Sequence, residues 1–148
     1  MSDPVRYQII ALVMVRMKTI KKTASYKTDL GNNIFHMRPT PLQAAEVPGM
    51  NILDHENEKS PSHAGGRYLN KISADLEAFL AAGTATITDC YDVIEDIYKA
   101  IGTDDQWSGL ADDTQPKGDK IEIDQDGKIT GKVIVSIEIE YETAKWSF

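Results

Sequence analysis

With 148 residues, 41% apolar and 26% charged, the chain has the size and balance of one globular domain, able to bury about 70% of its unfolded surface. Sixteen Lys and Arg against twenty-three Asp and Glu leave a net charge of −7, which argues against a dedicated DNA- or RNA-coating module. The single cysteine rules out an intramolecular disulfide framework and a cysteine-rich zinc site, and it suits a reducing cytoplasm.

Ser2-Asp3-Pro4 is a helix start, with side-chain oxygens to cap free amides and Pro at the first helical position. Val5, Ile9, Leu12, Val13, Arg16 and Ile20 follow at helical spacing, which predicts a helix over residues 4–22. Ile10, Met14 and Met17 widen its apolar face, as expected of a helix buried on more than one side. The run Ile9–Val15 is seven residues long, whereas a membrane span needs about 20. Arg16, Lys18, Lys21 and Lys22 follow it without a small-residue cleavage site, so it reads as a buried helix and not as an export signal.

Tyr26–Gly31 and Asn32-Asn33 read as a turn, and Ile34–Met37 as a short strand ended by Pro39 and Pro41. Pro48-Gly49 opens a strand over Met50–Asp54. Residues 55–66, with Pro61, Gly65, Gly66 and no apolar periodicity, are expected to form a mobile loop. In Arg67–Ala82 the alternation of Tyr68, Ile72, Ala74, Leu76, Ala78 and Leu80 points to a strand. The spacing of Leu69, Ile72, Leu76 and Phe79 also fits a helix.

Thr84–Ile101 is a predicted second helix, with Thr86 and Asp89 as a capping box and Gly102 as its C-cap. Its buried stripe is Ile87, Cys90, Tyr91, Ile94, Ile97, Tyr98 and Ile101, which leaves Asp92, Glu95, Asp96 and Lys99 to solvent. A β-hairpin follows over about residues 118–143, turning at Asp126-Gly127. Its return strand puts Ile129, Val133, Val135, Ile137, Ile139 and Tyr141 on one face. Thr130, Lys132, Ser136, Glu138, Glu140 and Glu142 lie on the other, where Ile134 is an apolar exception. The order implies a single α+β domain over residues 1–148. Its sheet is mostly antiparallel, with four to five strands, and two main helices pack on one face.

Charge is polarised along the chain. Residues 1–50 carry a net +4 and residues 51–148 a net −11. That suits head-to-tail self-association or docking on charged partners; the plainer reading is a basic helix end and acidic solvated loops. Asp124, Asp126 and Gly127 resemble part of an EF-hand, but Val133 stands where the bidentate carboxylate must be, so the sequence is a hairpin turn. Asp54, His55, Glu56, Glu58 and His63 match no zinc spacing. Cys90 sits on the helix stripe as a small apolar group, and a catalytic role would need a base such as His36 beside it. With no phosphate-cradling loop and no Ser/His/Asp pattern, the expectation is a protein that is not an enzyme and takes no metal or cofactor.

Four segments, in this order, resemble the tail-terminator or minor tail protein family of tailed bacteriophages and prophages. They are the opening helix running into Tyr26–Gly31; Glu46–Asp54; Ile94–Gly102 with Asp104, Trp107-Ser108-Gly109-Leu110-Ala111 and Thr114; and Val133–Tyr141 with Glu142-Thr143. The likeness to siphophage minor tail protein U is more distant and chiefly one of fold. The resemblance implies a strand near Arg67–Leu80. It also implies a homohexameric ring that caps the tail tube, ends its polymerisation and docks the head. Expected partners are other copies of the chain, the tail tube protein and head–tail connector proteins. DNA would pass through the ring without specific binding, and no membrane is involved. The expected location is the virion tail, assembled in the bacterial cytoplasm. Candidate contact residues are His55, Glu58, His63 and Arg67, with Trp107 and Ile134 as apolar anchors; Trp107 also fits a core aromatic. Two other readings remain: a neck or tail-completion protein, and a small metal-dependent enzyme built on the Asp54–His63 group.

Overall fold

A computed structural model describes residues 3–63, 65–80, 87–124 and 130–148. Its elements run α1 (Val5–Met17), β1 (Ile34–His36), β2 (Gly49–Pro61), β3 (Arg67–Leu80), α2 (Ile87–Gly102), β4 (Asp113–Asp124) and β5 (Thr130–Ala144). The five strands form one sheet in the order β1-β2-β3-β5-β4, antiparallel except for the β1–β2 pair. This is the expected α+β domain, a mostly antiparallel sheet with two helices.

Strict alternation decides the segment where two periodicities compete. On β3, Asn70, Ile72, Ala74, Leu76 and Ala78 are buried, while Lys71, Ser73, Asp75 and Glu77 lie on the opposite face. The neighbouring β5 repeats the pattern, burying Val133, Val135, Ile137, Ile139 and Tyr141. Both helices close over that face: Ile9, Ile10, Val13 and Met17 of α1 join Cys90, Val93, Ile97 and Ala100 of α2 in one core cluster. Each fully buried Ile or Leu contributes about 1.5–3 kcal/mol, and these side chains hold the helix layer to the sheet.

Several expectations are corrected. The α1 helix ends at Met17, not residue 22; the chain then tightens, with the Thr19 and Ile20 amides donating to Arg16 and Met17 carbonyls at 3.1 Å. The early exit frees the Ile20 carbonyl to accept the Gly31 amide at 2.8 Å. A Cβ on Gly31 would fall 2.5 Å from the Lys18 carbonyl oxygen, so only glycine allows this approach. At the other end Pro4 is the N-cap rather than the first helical residue, and no side chain caps the helix. Met37 leaves β1 in the left-handed region, at φ 50°.

The predicted mobile loop over residues 55–66 is largely strand. After a bulge between Leu53 and Glu56, Glu56–Pro61 pairs in register with Tyr68–Ser73. Apolar periodicity is missing there because both faces are polar. Asn57 and Lys59 reach Asn70, and Asn57 also reaches the Tyr141 hydroxyl. The C-terminal hairpin is longer than expected, its first strand starting at Asp113. The turn residues Asp126-Gly127, the capping Thr86 and Ser2 lie outside the described residues.

On α2 the predicted stripe is rotated. Ile87 and Tyr91 are 50% and 60% exposed, Val93 is buried, and Gly102 is the last helical residue. Asp96, expected in solvent, is 1% exposed. Its carboxylate accepts the Lys27 amide at 3.0 Å, the Thr28 amide at 2.8 Å and the Thr28 hydroxyl at 2.7 Å. A carboxylate is tolerated in a core when donors surround it in this way.

Asp96→Ala strands two backbone amides against the core and is expected to cost about 2–4 kcal/mol. Urea unfolding should show a lower midpoint at unchanged slope. Asp96→Asn, which keeps one acceptor oxygen, should lose less.

Candidate assembly surface

The segment after α2 is a loop held by a dense set of hydrogen bonds. Trp107, Ser108 and Gly109 are consecutively left-handed, at φ 51°, 60° and 83°. Non-glycine residues held this way cost of order 1–3 kcal/mol each, so the surroundings must over-determine them. They do. The Asp104 carboxylate accepts the Ser108 amide at 2.8 Å and the Gln106 amide at 3.0 Å, and these bonds hold its carboxyl below the usual carboxylate range. The Trp107 indole N–H donates to Thr114 Oγ1 at 2.8 Å. Arg16 lies 4.6 Å over the Trp107 ring and donates through Nη1 to the Ala100 carbonyl at 3.1 Å and the Asp104 carbonyl at 3.0 Å. Trp107 is fully buried, which corrects its nomination as a contact anchor: it is a core aromatic that fastens the loop to α1.

The outer side of α1 faces solvent beside this loop. Tyr7 and Val15, eight residues apart with Ala11 between them, are 53% and 58% exposed. With Leu12 and Leu110 they line an open groove of about 270 Å³, rimmed by Asp3 and Gln8. The helix is thus apolar on the face turned away from the core as well as towards it. Trp146, just past β5, is 90% exposed and meets the Tyr68 ring edge-on at 6.1 Å.

The other nominated contact residues do not gather into one patch. His55 and Glu58 are exposed on β2, His63 is exposed in the β2–β3 connection, and Arg67 opens β3 with its guanidinium 3.8 Å from Glu142. Ile134 lies near the start of β5, beside Glu77 and Lys120, half-buried on the sheet face away from the helices. That face carries cross-strand ion pairs, Lys132–Glu77 at 3.3 Å and Lys71–Glu140 at 3.8 Å; half-exposed surface pairs like these stabilise weakly. Sequence periodicity did not mark the α1–Leu110 groove: it widened the apolar face of the helix through Ile10, Met14 and Met17 and left Tyr7, Ala11 and Val15 outside its stripe. Trp146 lay outside every periodic pattern, and an aromatic at such a place is itself a signal.

The Asp54–His63 group is dispersed. Asp54 turns inward, 2.6 Å from His36 Nε2 and 3.2 Å from Arg6 Nε, while Arg6 Nη2 also donates to the Asp54 carbonyl. Among the described residues, no three His, Cys, Asp or Glu side chains are placed to hold a metal ion. Cys90 is fully buried; burial and the neighbouring Asp89 push its thiol up, away from the reactive thiolate. His36 is engaged by Asp54.

The segment between β1 and β2 is pinned by Arg38. Its guanidinium forks onto the Glu46 carboxylate and lies 4.6 Å over Phe35, and the Asn51 side chain bridges the Arg38 amide and carbonyl at 3.0 Å each. The Arg38 hydrogen bonds, joined by the Gln43 amide, hold the Glu46 carboxyl below its ordinary value. A depressed carboxyl stabilises the fold above the unfolded pKa, and this support is lost as pH falls through the folded value. NMR titration should therefore place Glu46 below the usual glutamate range, and Arg38→Ala should return it towards that range.

No protein-family model matches this chain, and no curated protein matches it in sequence.

Proposed function

We propose that this chain is a structural protein of the tailed-phage virion, which forms a ring on the end of the tail tube, stops its growth and offers the head a docking surface. One observation carries this reading: the segments that resemble the tail-terminator family are the packing devices of the fold. The Tyr26–Gly31 turn is clamped to α2 by Asp96. The Glu46–Asp54 segment is tied to Arg38 and, through Asp54, to Arg6. Asp104, Trp107 and Thr114 build the left-handed loop, and Val133–Tyr141 is the core-facing strand beside β3. Residues spent on shape rather than on a reactive cluster suit a protein whose product is a surface.

A closed ring needs two different faces on each subunit, because one meets the other on the next copy. The helix layer, apolar along α1, and the sheet face, lined with paired charges, are two such faces. The net charge of −7 suits a channel through which DNA slides, since carboxylates repel phosphate. We assign the chain no catalytic residue, metal or cofactor; its partners on this reading are its own copies, the tube protein and the head–tail connectors.

Electron microscopy of particles made without this gene tests the reading. Overlong, headless tails of variable length are the expected result. Tails of normal length that fail to join heads would make it a neck protein instead, and normal infectious particles would overturn the proposal.

A further inference from the structure

An indole in water at 90% exposure and an apolar groove on the same molecule are two halves of one contact. We propose that Trp146 of one copy seats in the groove between α1 and Leu110 of the next, as the anchor of a head-to-tail interface. The inference rests on the ring reading and names the residues that make its joints.

Four observations carry it. First, Trp146 is held out, not left loose: its backbone is left-handed at φ 60°, and its ring leans edge-on against Tyr68 at 6.1 Å. A tryptophan fixed in place loses little conformational freedom on docking and buries about 150–250 Å². Second, the groove of about 270 Å³ has room for one aromatic side chain, and its walls, Tyr7, Ala11, Leu12, Val15 and Leu110, are apolar. Its floor is stiff, because the loop that carries Leu110 is bolted down through Asp104, Trp107 and Arg16.

Third, the rims match in charge. Lys145 stands beside the indole and Asp3 beside the groove; both are exposed, and neither forms an ion pair among the described residues. Fourth, the two halves do not satisfy each other within a subunit. Trp146 lies against Lys59, Ser60, Pro61 and Tyr68, none of which lines the groove. Different surfaces meeting between copies make the contact heterologous, as a ring requires. The knob supplies the anchor, while the rest of a standard interface of about 1,200–2,000 Å² comes from surrounding polar surface.

The experiment uses the whole chain and two variants, Trp146→Ala, which keeps the groove, and Val15→Asp, which keeps the knob. Both positions are exposed, so both variants should keep the native circular dichroism. Sedimentation of wild-type protein up to millimolar concentration should show association, and each variant alone should associate about tenfold or more weakly. Mixed in equal amounts, the variants should form dimers and stop there, since only one productive knob–groove contact is possible per pair.

Fluorescence gives a second readout, because the chain has two tryptophans and Trp107 is buried. Wild-type emission should shift to shorter wavelength and resist acrylamide quenching as the protein associates, and Trp146→Ala should show neither change. Variants that assemble like wild type overturn the contact while leaving the ring intact. A mixture that fails to form dimers overturns the head-to-tail pairing. Rings that assemble normally from Val15→Asp but no longer bind the tail tube would give the groove to the tube protein, which also overturns it. A wild-type chain that stays monomeric at millimolar concentration overturns the contact, and leaves the ring reading to stand or fall on the tails made without the gene.

Discussion

The helix layer hangs on one buried carboxylate. Asp96 projects from α2 into the turn at Lys27–Thr28 and satisfies two amides and a hydroxyl there. That turn precedes Leu30–Asn32, where Gly31 presses against the chain leaving α1, and the strand β1 begins directly afterwards. One side chain therefore ties the segment between α1 and β1 to α2. The alternative, an apolar residue at position 96, would need a turn with no inward amides.

A second fastening follows from the first. Because α1 is fixed beside the end of α2, Arg16 can reach the carbonyls of Ala100 and Asp104 and cover the Trp107 ring. Those bonds offset the left-handed backbone of the loop after α2 and present Leu110 next to Tyr7 and Val15. The proposed docking groove is thus a by-product of core construction. Its position is set by buried polar bonds, and its lining joins Leu12 and Leu110, packed against the core, to the exposed Tyr7 and Val15.

The central sheet was legible in the sequence and much of its edge was not. Alternation along β5 is the direct imprint of one buried and one open face, so Val135 and Ile139 could be placed by period alone, whereas on β3 Ile72 and Leu76 fit a helical period as well and the strand was implied by the family resemblance. The outer half of β2 has no such imprint. Glu56 and Glu58 face outward, and Asn57 and Lys59 enter a polar site around Asn70, so a true strand resembles a loop. Asp96 defeated helical periodicity in the same way, because a buried acid reads as a solvent residue until its donors are known. Of the nominated contact residues, the polar ones are exposed, as a surface pattern suggests. The aromatic one is not: Trp107 lies in a run of small and polar residues whose strained fold depends on it, while the tryptophan that meets solvent is Trp146.

On the proposed function, this chain is a component of the particle itself, placed where tube and head meet. Immunogold labelling of purified virions with an antibody raised against the chain tests that placement most directly. Gold at the junction of head and tail tube is the predicted result. Gold at the distal tip of the tail, or particles free of label while the host cytoplasm retains the protein, would contradict it.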